Sequence, residues 1–153
     1  MDASLDSVDK TLLNRIQSDF PIDARPFARI AEELGLSEEQ VLNRVQRLRQ
    51  NDVIRRIGGN FSPEKLGYVS TLCACRVPEK DLDHFTSIVN SYPGVTHNYL
   101  RDNAFNVWFT FIAPSREDIE ENLAEISEKT GISEILNLPA TRVYKIRAHF
   151  NIK

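Results

Sequence analysis

A chain of 153 residues that is 41% hydrophobic and 27% charged, with a net charge of −3, has room for one sizeable core or for two small domains sharing an interface. No apolar run approaches the roughly 20 residues that cross a bilayer, and the opening Met-Asp-Ala-Ser-Leu-Asp lacks the basic start and apolar stretch of a signal peptide. The expected compartment is therefore the cytoplasm, with no membrane partner.

Leu5 to Asp19 carries Leu5, Val8, Leu12, Leu13 and Ile16 at helical spacing, with Asp6 or Ser4 to cap it. Pro26 can open a second helix whose stripe is Phe27, Ile30, Ala31 and Leu34, ended by Gly35. Ser37-Glu-Glu-Gln is a capping signature for a third helix bearing Val41, Leu42, Val45 and Leu48. Helix, tight turn and helix form a helix-turn-helix pattern, and Val53 to Phe61 is rich enough in β-formers to be its wing. Residues 1–61 are thus expected to be a winged helix-turn-helix domain.

Residues 62–153 are expected to form a second domain. Ser62 to Gly67 is a connector, Tyr68 to Val77 a strand, and Pro78 opens a helix with Leu82, Phe85, Ile88 and Val89 on its buried stripe. Cys73 and Cys75 fall on one face of that strand as small buried residues. A lone Cys-x-Cys lacks the three or four ligands of a metal site, and no metal is expected. Pro93-Gly94 ends the unit, and Val95–Arg101 and Phe105–Ala113 read as a hairpin. Ser115 caps a further helix with Ile119, Leu123 and Ile126, Gly131 stops it, and β-rich segments follow at Ile135–Leu138 and Arg142–Phe150. The order β-α-β-β-α-β is the ferredoxin-like plan, so the fold class is α+β; its free sheet face predicts a partner chain.

A helix-turn-helix raises the question of DNA. Residues 1–61 hold nine Lys or Arg and ten Asp or Glu, a balance of −1, where a module that neutralises phosphates should be basic. The first turn of the third helix, where base edges would be met, carries Glu38 and Glu39. Arg44, Arg47 and Arg49 are read as a solvated helix face, and DNA is not the expected partner.

The chemistry-bearing candidates lie mainly in Val95–Arg101. Strand alternation sends His97, Tyr99 and Arg101 to one side together with Val95, whereas Asn98 turns the other way and is read as serving the fold. Histidine titrates near neutral pH and can donate a proton or ligate a metal, and Arg101 can hold a carboxylate by a bidentate pair. His84, beside Asp81 and Asp83, reads as a surface histidine, and His149 shares a basic strand face with Lys145 and Arg147. In the wing, alternation places Arg55 and Arg56 on opposite sides of the ribbon, so one of them can face a given site. There is no glycine-rich phosphate loop, nucleophile elbow or His-Glu metal helix, which leaves hydrolase and nucleotide-enzyme readings without support.

The architecture resembles that of the Lrp/AsnC regulators, with its RAM-type second domain, over essentially the whole chain. The Gly-x-x-Asp effector motif of those regulators is replaced by Asn103-Ala-Phe-Asn106. The phrases Arg25-Pro-Phe27, Ile54-Arg-Arg-Ile-Gly58, Leu66-Gly-Tyr-Val-Ser-Thr71, Tyr92-Pro-Gly-Val-Thr-His-Asn-Tyr-Leu-Arg101 and Asn106-Val-Trp-Phe-Thr110 closely resemble the sirohaem decarboxylases. These are paired Lrp-like subunits of the alternative haem and haem d1 routes. The resemblance implies conversion of sirohaem to 12,18-didecarboxysirohaem with release of two carbon dioxide molecules, a heterodimer with a homologous subunit, and no cofactor beyond the iron tetrapyrrole itself. It implies His97 as proton donor or iron contact and Tyr99 as its orienting group or a second donor. The implied substrate contacts are Arg55, Arg56, Arg101, Asn98, Trp108 and, secondarily, His149. The competing readings are a DNA-binding regulator and a haem-binding sensor that leaves its tetrapyrrole unaltered.

Overall fold

The Asp6 side chain accepts from the backbone N–H of Asp9 while the Asp9 side chain accepts from that of Asp6, and this reciprocal cap starts helix α1, Ser7–Ser18. The structure, a computed structural model, describes residues 5–59, 61–146 and 149–153. Pro26 opens α2, Pro26–Leu34, and Gly35 in the left-handed region ends it; Ser37 and Gln40 form a second reciprocal cap for α3, Glu38–Gln50. Leu12, Ile30, Val41 and Leu48 close the core between these helices.

The two units are Met1–Gly59 with Lys145–Lys153, and Asn60–Tyr144. In the first, Arg44 and Arg47 of the expected solvated face of α3 form an ionic clasp, whereas Arg49 is exposed as expected. Arg44 reaches both Asp6 and Asp9 at 2.7 Å, and Arg47 also bonds Asp9, whose carboxylate is fully buried. Burial pushes the Asp9 carboxyl up, but hydrogen bonds from Arg47, Arg44 and the Asp6 N–H outweigh it and leave Asp9 below the usual carboxylate range. Glu38 of the first turn of α3 pairs with Arg25. Arg44 and Arg47 therefore tie α3 to α1, and phosphate contact would have to break that tie.

The expected wing does not form a strand among the described residues of Val53–Phe61. The N–H groups of Val53 and Ile54 both donate to the Leu48 carbonyl, Asp52 takes a left-handed φ of 56°, and Ile54 is buried with the helices. Those donors close the end of α3, which removes them from any ladder.

In the second unit, β1 (Val69–Cys75), α4 (Leu82–Asn90), β2 (Val95–Leu100), β3 (Val107–Ala113), α5 (Arg116–Thr130) and β4 (Ile135–Pro139) follow in the expected order. The sheet is antiparallel in the order β2-β3-β1-β4. Cys73, Cys75, Phe109 and Phe111 pack with Phe85, Val89, Ile119 and Ile126 of the helices. Burial raises both thiols to about 12, so they are inert core residues.

The expected strand over Arg142–Phe150 is not formed among the described residues; Arg147 and Ala148 lie outside them. From Lys145 the chain packs with the helical unit instead. The Asn14 amide exchanges hydrogen bonds with the backbone of Ile152, and the Gln17 amide does the same with Phe150. These side chains satisfy the groups a sheet edge would have paired. Among the described residues, no helix is long and apolar enough to cross a membrane.

Candidate functional site

The candidate site is built on β2, and its geometry begins at Gly94. The Ile112 N–H donates to the Gly94 carbonyl at 2.8 Å, and a Cβ on Gly94 would collide with the Ile112 carbonyl oxygen and come within 2.9 Å of the Phe111 ring. Only glycine permits this approach of backbones. Immediately afterwards the register shifts: Val95 lies opposite Phe111, yet His97 lies opposite Thr110. Thr96 is the extra residue of a bulge.

That bulge corrects the simple alternation. Val95 packs against the helix-covered core, whereas His97 and Tyr99 turn to the open face of the sheet. Asn98 faces the helices and donates from Nδ2 to Asn90 Oδ1 at 3.0 Å, so it serves the fold and does not join the face as a substrate contact.

On the open face the ladder aligns His97, Thr110, Leu72 and Leu138 in one row and Tyr99, Trp108, Ala74 and Leu136 in the next. Tyr99, Leu72 and Leu138 are each more than 40% exposed, so this face is an apolar surface that the chain itself leaves uncovered. The His97 and Tyr99 rings stack with centroids 6.0 Å apart and planes at 24°. His97 Nδ1 lies 3.0 Å from Thr96 Oγ1. The Arg101 guanidinium sits 5.7 Å from the Tyr99 ring centre and 5.9 Å from that of Trp108, and the indole N–H of Trp108 donates to the Phe105 carbonyl at 2.7 Å. Arg101 also borders a shallow groove with Leu82, Leu100, Asn103, Glu79 and Asp102.

The hairpin turn holds two features that strand patterning missed. Asn106 accepts from the Val77 N–H and donates to the Val77 carbonyl, both at 2.8 Å, so it pins the turn to the end of β1. An aspartate at this position would keep the first bond and lose the second. Beside Val77, the Arg76 guanidinium lies 5.0 Å over the Phe105 ring. Continued alternation beyond Ala74 places Arg76 on the open side; its aromatic partner comes from the hairpin turn, since β3 starts only at Val107 and not at Phe105 as expected.

The other candidates belong to other elements than this sheet. Arg55 and Arg56 are exposed in the irregular segment after α3. His149, expected on a basic strand, instead has its Nδ1 3.0 Å from Ser18 Oγ of α1. His84 is exposed on α4, as expected.

Comparison with known proteins agrees with this architecture. Residues 9–55 match the siroheme decarboxylase NirDL-like HTH domain, and residues 65–145 match the AsnC-like ligand binding domain. The chain is 51% identical to the siroheme decarboxylase alpha subunit of Desulfovibrio desulfuricans, over 98% of this chain and 86% of that one. It is 52% identical to the alpha subunit of Oleidesulfovibrio alaskensis, over 99% and 92%. A solved siroheme decarboxylase NirDL in co-complex with an iron-uroporphyrin III analogue superposes with a TM-score of 0.63 at 31% identity, covering 92% of this chain and 47% of that one. Escherichia coli AsnC, at 20% identity and a TM-score of 0.78 over 95% and 97% of the two chains, shares the fold. With about half of its residues identical to those relatives along nearly its whole length, the chain belongs to the sirohaem decarboxylase family.

Proposed function

We propose that the chain is a sirohaem decarboxylase subunit, a cytoplasmic carboxy-lyase that acts with a homologous Lrp-like subunit and removes two acetate carboxyls to give 12,18-didecarboxysirohaem. The single observation that carries this reading is the open sheet face, which combines a flat apolar platform, a stacked histidine and an arginine held over aromatic rings. A large flat polycarboxylate needs that combination: apolar area for the macrocycle and fixed cations for its rim. From His97 to Arg101 the strand advances about 13 Å, on the order of the macrocycle with its side arms. The homologous subunit covers the remaining apolar rows, with the tetrapyrrole between the two chains.

Each turnover breaks the bond between an acetate methylene and its carboxylate. Carbon dioxide departs, the bonding electron pair passes into the conjugated ring, and one proton delivered to the methylene completes a methyl group. His97 is the proton donor in this scheme, with Tyr99 holding the imidazole by stacking; Arg101 and Trp108 bind and orient the substrate. Arg55 and Arg56, both exposed, are further carboxylate contacts. The substrate's own ring is the electron sink, so the scheme requires no other organic cofactor.

Anaerobic incubation of sirohaem with the protein in its subunit assembly should yield a pigment lighter by two carbon dioxide units, read by mass spectrometry. His97→Ala should lower the rate by on the order of 10²-fold or more while the far-UV spectrum and pigment binding persist. An unchanged rate would remove His97 from the proton transfer, and pigment that binds without losing mass would leave a sensor.

A further inference from the structure

We propose that Arg76 is a second carboxylate-binding residue of the substrate site, forming with Arg101 a two-pronged clamp along one end of the open sheet face; this rests on the decarboxylase reading above. Arg76 follows the last residue of β1, and Arg101 follows the last residue of β2. β3 lies between these strands, and Asn106, just before its first residue, receives the Arg101 N–H on its carbonyl at 2.7 Å. The order across the end of the sheet is therefore Arg101, Asn106, Arg76, with the two arginine backbones separated by two strand spacings, about 10 Å. Both side chains belong to the open side, because Ala74 and Tyr99, two residues earlier in each strand, lie in the same open row with Trp108.

Each guanidinium is held by aromatic rings. Arg76 lies over Phe105, and Arg101 beside Tyr99 and Trp108. The Trp108 indole bonds the Phe105 carbonyl, which joins the two aromatic supports. Among the described residues neither arginine has an acidic oxygen within 4 Å, whereas Arg15, Arg25, Arg44 and Arg47 all do. A ring supports the flat side of a guanidinium and leaves its N–H fork free, the arrangement needed for bidentate capture of a carboxylate. Asn106, by gripping both backbone groups of Val77, fixes the spacing between the prongs and is a positioning residue. The ligand chemistry is a pair of carboxylates on neighbouring side arms of one tetrapyrrole, held at the end of the face away from His97.

The test is a titration of the protein in its subunit assembly with iron uroporphyrin III and, in parallel, iron coproporphyrin III, which lacks the acetate arms, followed by absorbance. Arg76→Met and Arg76→Lys should weaken iron uroporphyrin binding by about tenfold or more, with near-UV circular dichroism unchanged, and should raise KM for sirohaem far more than they lower kcat. Asn106→Asp should weaken it several-fold with both arginines present. Unchanged affinity in both Arg76 variants, beside a wild type that binds and turns over, overturns the clamp and leaves the decarboxylase reading standing. A wild type that binds neither porphyrin overturns both. Equal weakening toward both porphyrins places the clamp on the propionate arms, and selective weakening toward iron uroporphyrin places it on the acetates; either outcome supports it.

Discussion

Four arginines of the helical unit and two of the sheet unit are held in opposite ways. In the first, Arg15, Arg25, Arg44 and Arg47 are closed onto carboxylates of the same unit. In the second, Arg76 and Arg101 rest on aromatic rings with their donors open. Arg44 and Arg47 of α3 are engaged in holding helices together, while Arg76 and Arg101 of the sheet unit have no acidic oxygen within 4 Å among the described residues. The units also differ in what sets their geometry: an ionic clasp around Asp9 in one, and close backbone features at Gly94, Thr96 and Asn106 in the other.

The largest effect on this contrast should come from Asp9→Ala. It leaves Arg44 with Asp6 alone and Arg47 without its carboxylate, and should destabilise the helical unit by about 3 kcal/mol, the low end for a broken buried pair because Arg47 is itself half-exposed. Urea unfolding followed by helical circular dichroism measures it; a loss below about 1 kcal/mol would mean that the clasp is ornamental. Gly94→Ala should cost the sheet unit about 1–3 kcal/mol, through the collision with Ile112 and Phe111, and should disturb the orientation of His97 as well. Hydrogen exchange at the Ile112 amide, which bonds the Gly94 carbonyl, reports it directly, and undiminished protection there would contradict the role given to Gly94.

Acid should separate the units by a smaller margin. Asp9 is held below its ordinary value, and so is Asp6, by hydrogen bonds from the Asp9 N–H and from Arg44. A carboxylate with a depressed folded pKa contributes stability that is complete above its unfolded value of about 4 and is lost as pH falls through the folded one. Glu125 of α5 is also lowered, by Lys129 and by Tyr92, but it is exposed to solvent that screens the effect. Hydrogen exchange between pH 5 and pH 2 should therefore show the amides of α1, α2 and α3 losing protection before those of β1 and β3. Simultaneous loss would refute the contrast.

Most elements were legible because their signals are local. Asp6, Ser37 and Ser115 cap the helices predicted for them, Gly35 and Gly131 end two, and the β-α-β-β-α-β order follows from the change of hydrophobic period at Tyr68. The wing was misread because Val53 and Ile54 are β-formers whose N–H groups are taken by Leu48. The face of Val95 was misread because alternation assumes an unbroken ladder, and the extra residue at Thr96 arises from how β2 meets β3. Arg44 and Arg47 looked solvated because their partner, Asp9, is 35 and 38 positions away in the chain.

The sequence by itself determined most helix caps and stops, the β-α-β-β-α-β order, the family phrases and the strand that carries His97 and Tyr99, since capping, periodicity and turn chemistry act over a few residues; the helix expected from Pro78 begins instead at Leu82, after a single 3-10 turn over Glu79–Asp81. Only the tertiary structure decided which neighbours those residues meet: that Tyr99 and Trp108 share a row, that Arg76 stands across Asn106 from Arg101, and that the tail binds α1 through Asn14 and Gln17. The physical reason is that pairing across strands and helices is set by register and packing between distant segments, where one inserted residue or one engaged N–H changes the outcome for every side chain that follows.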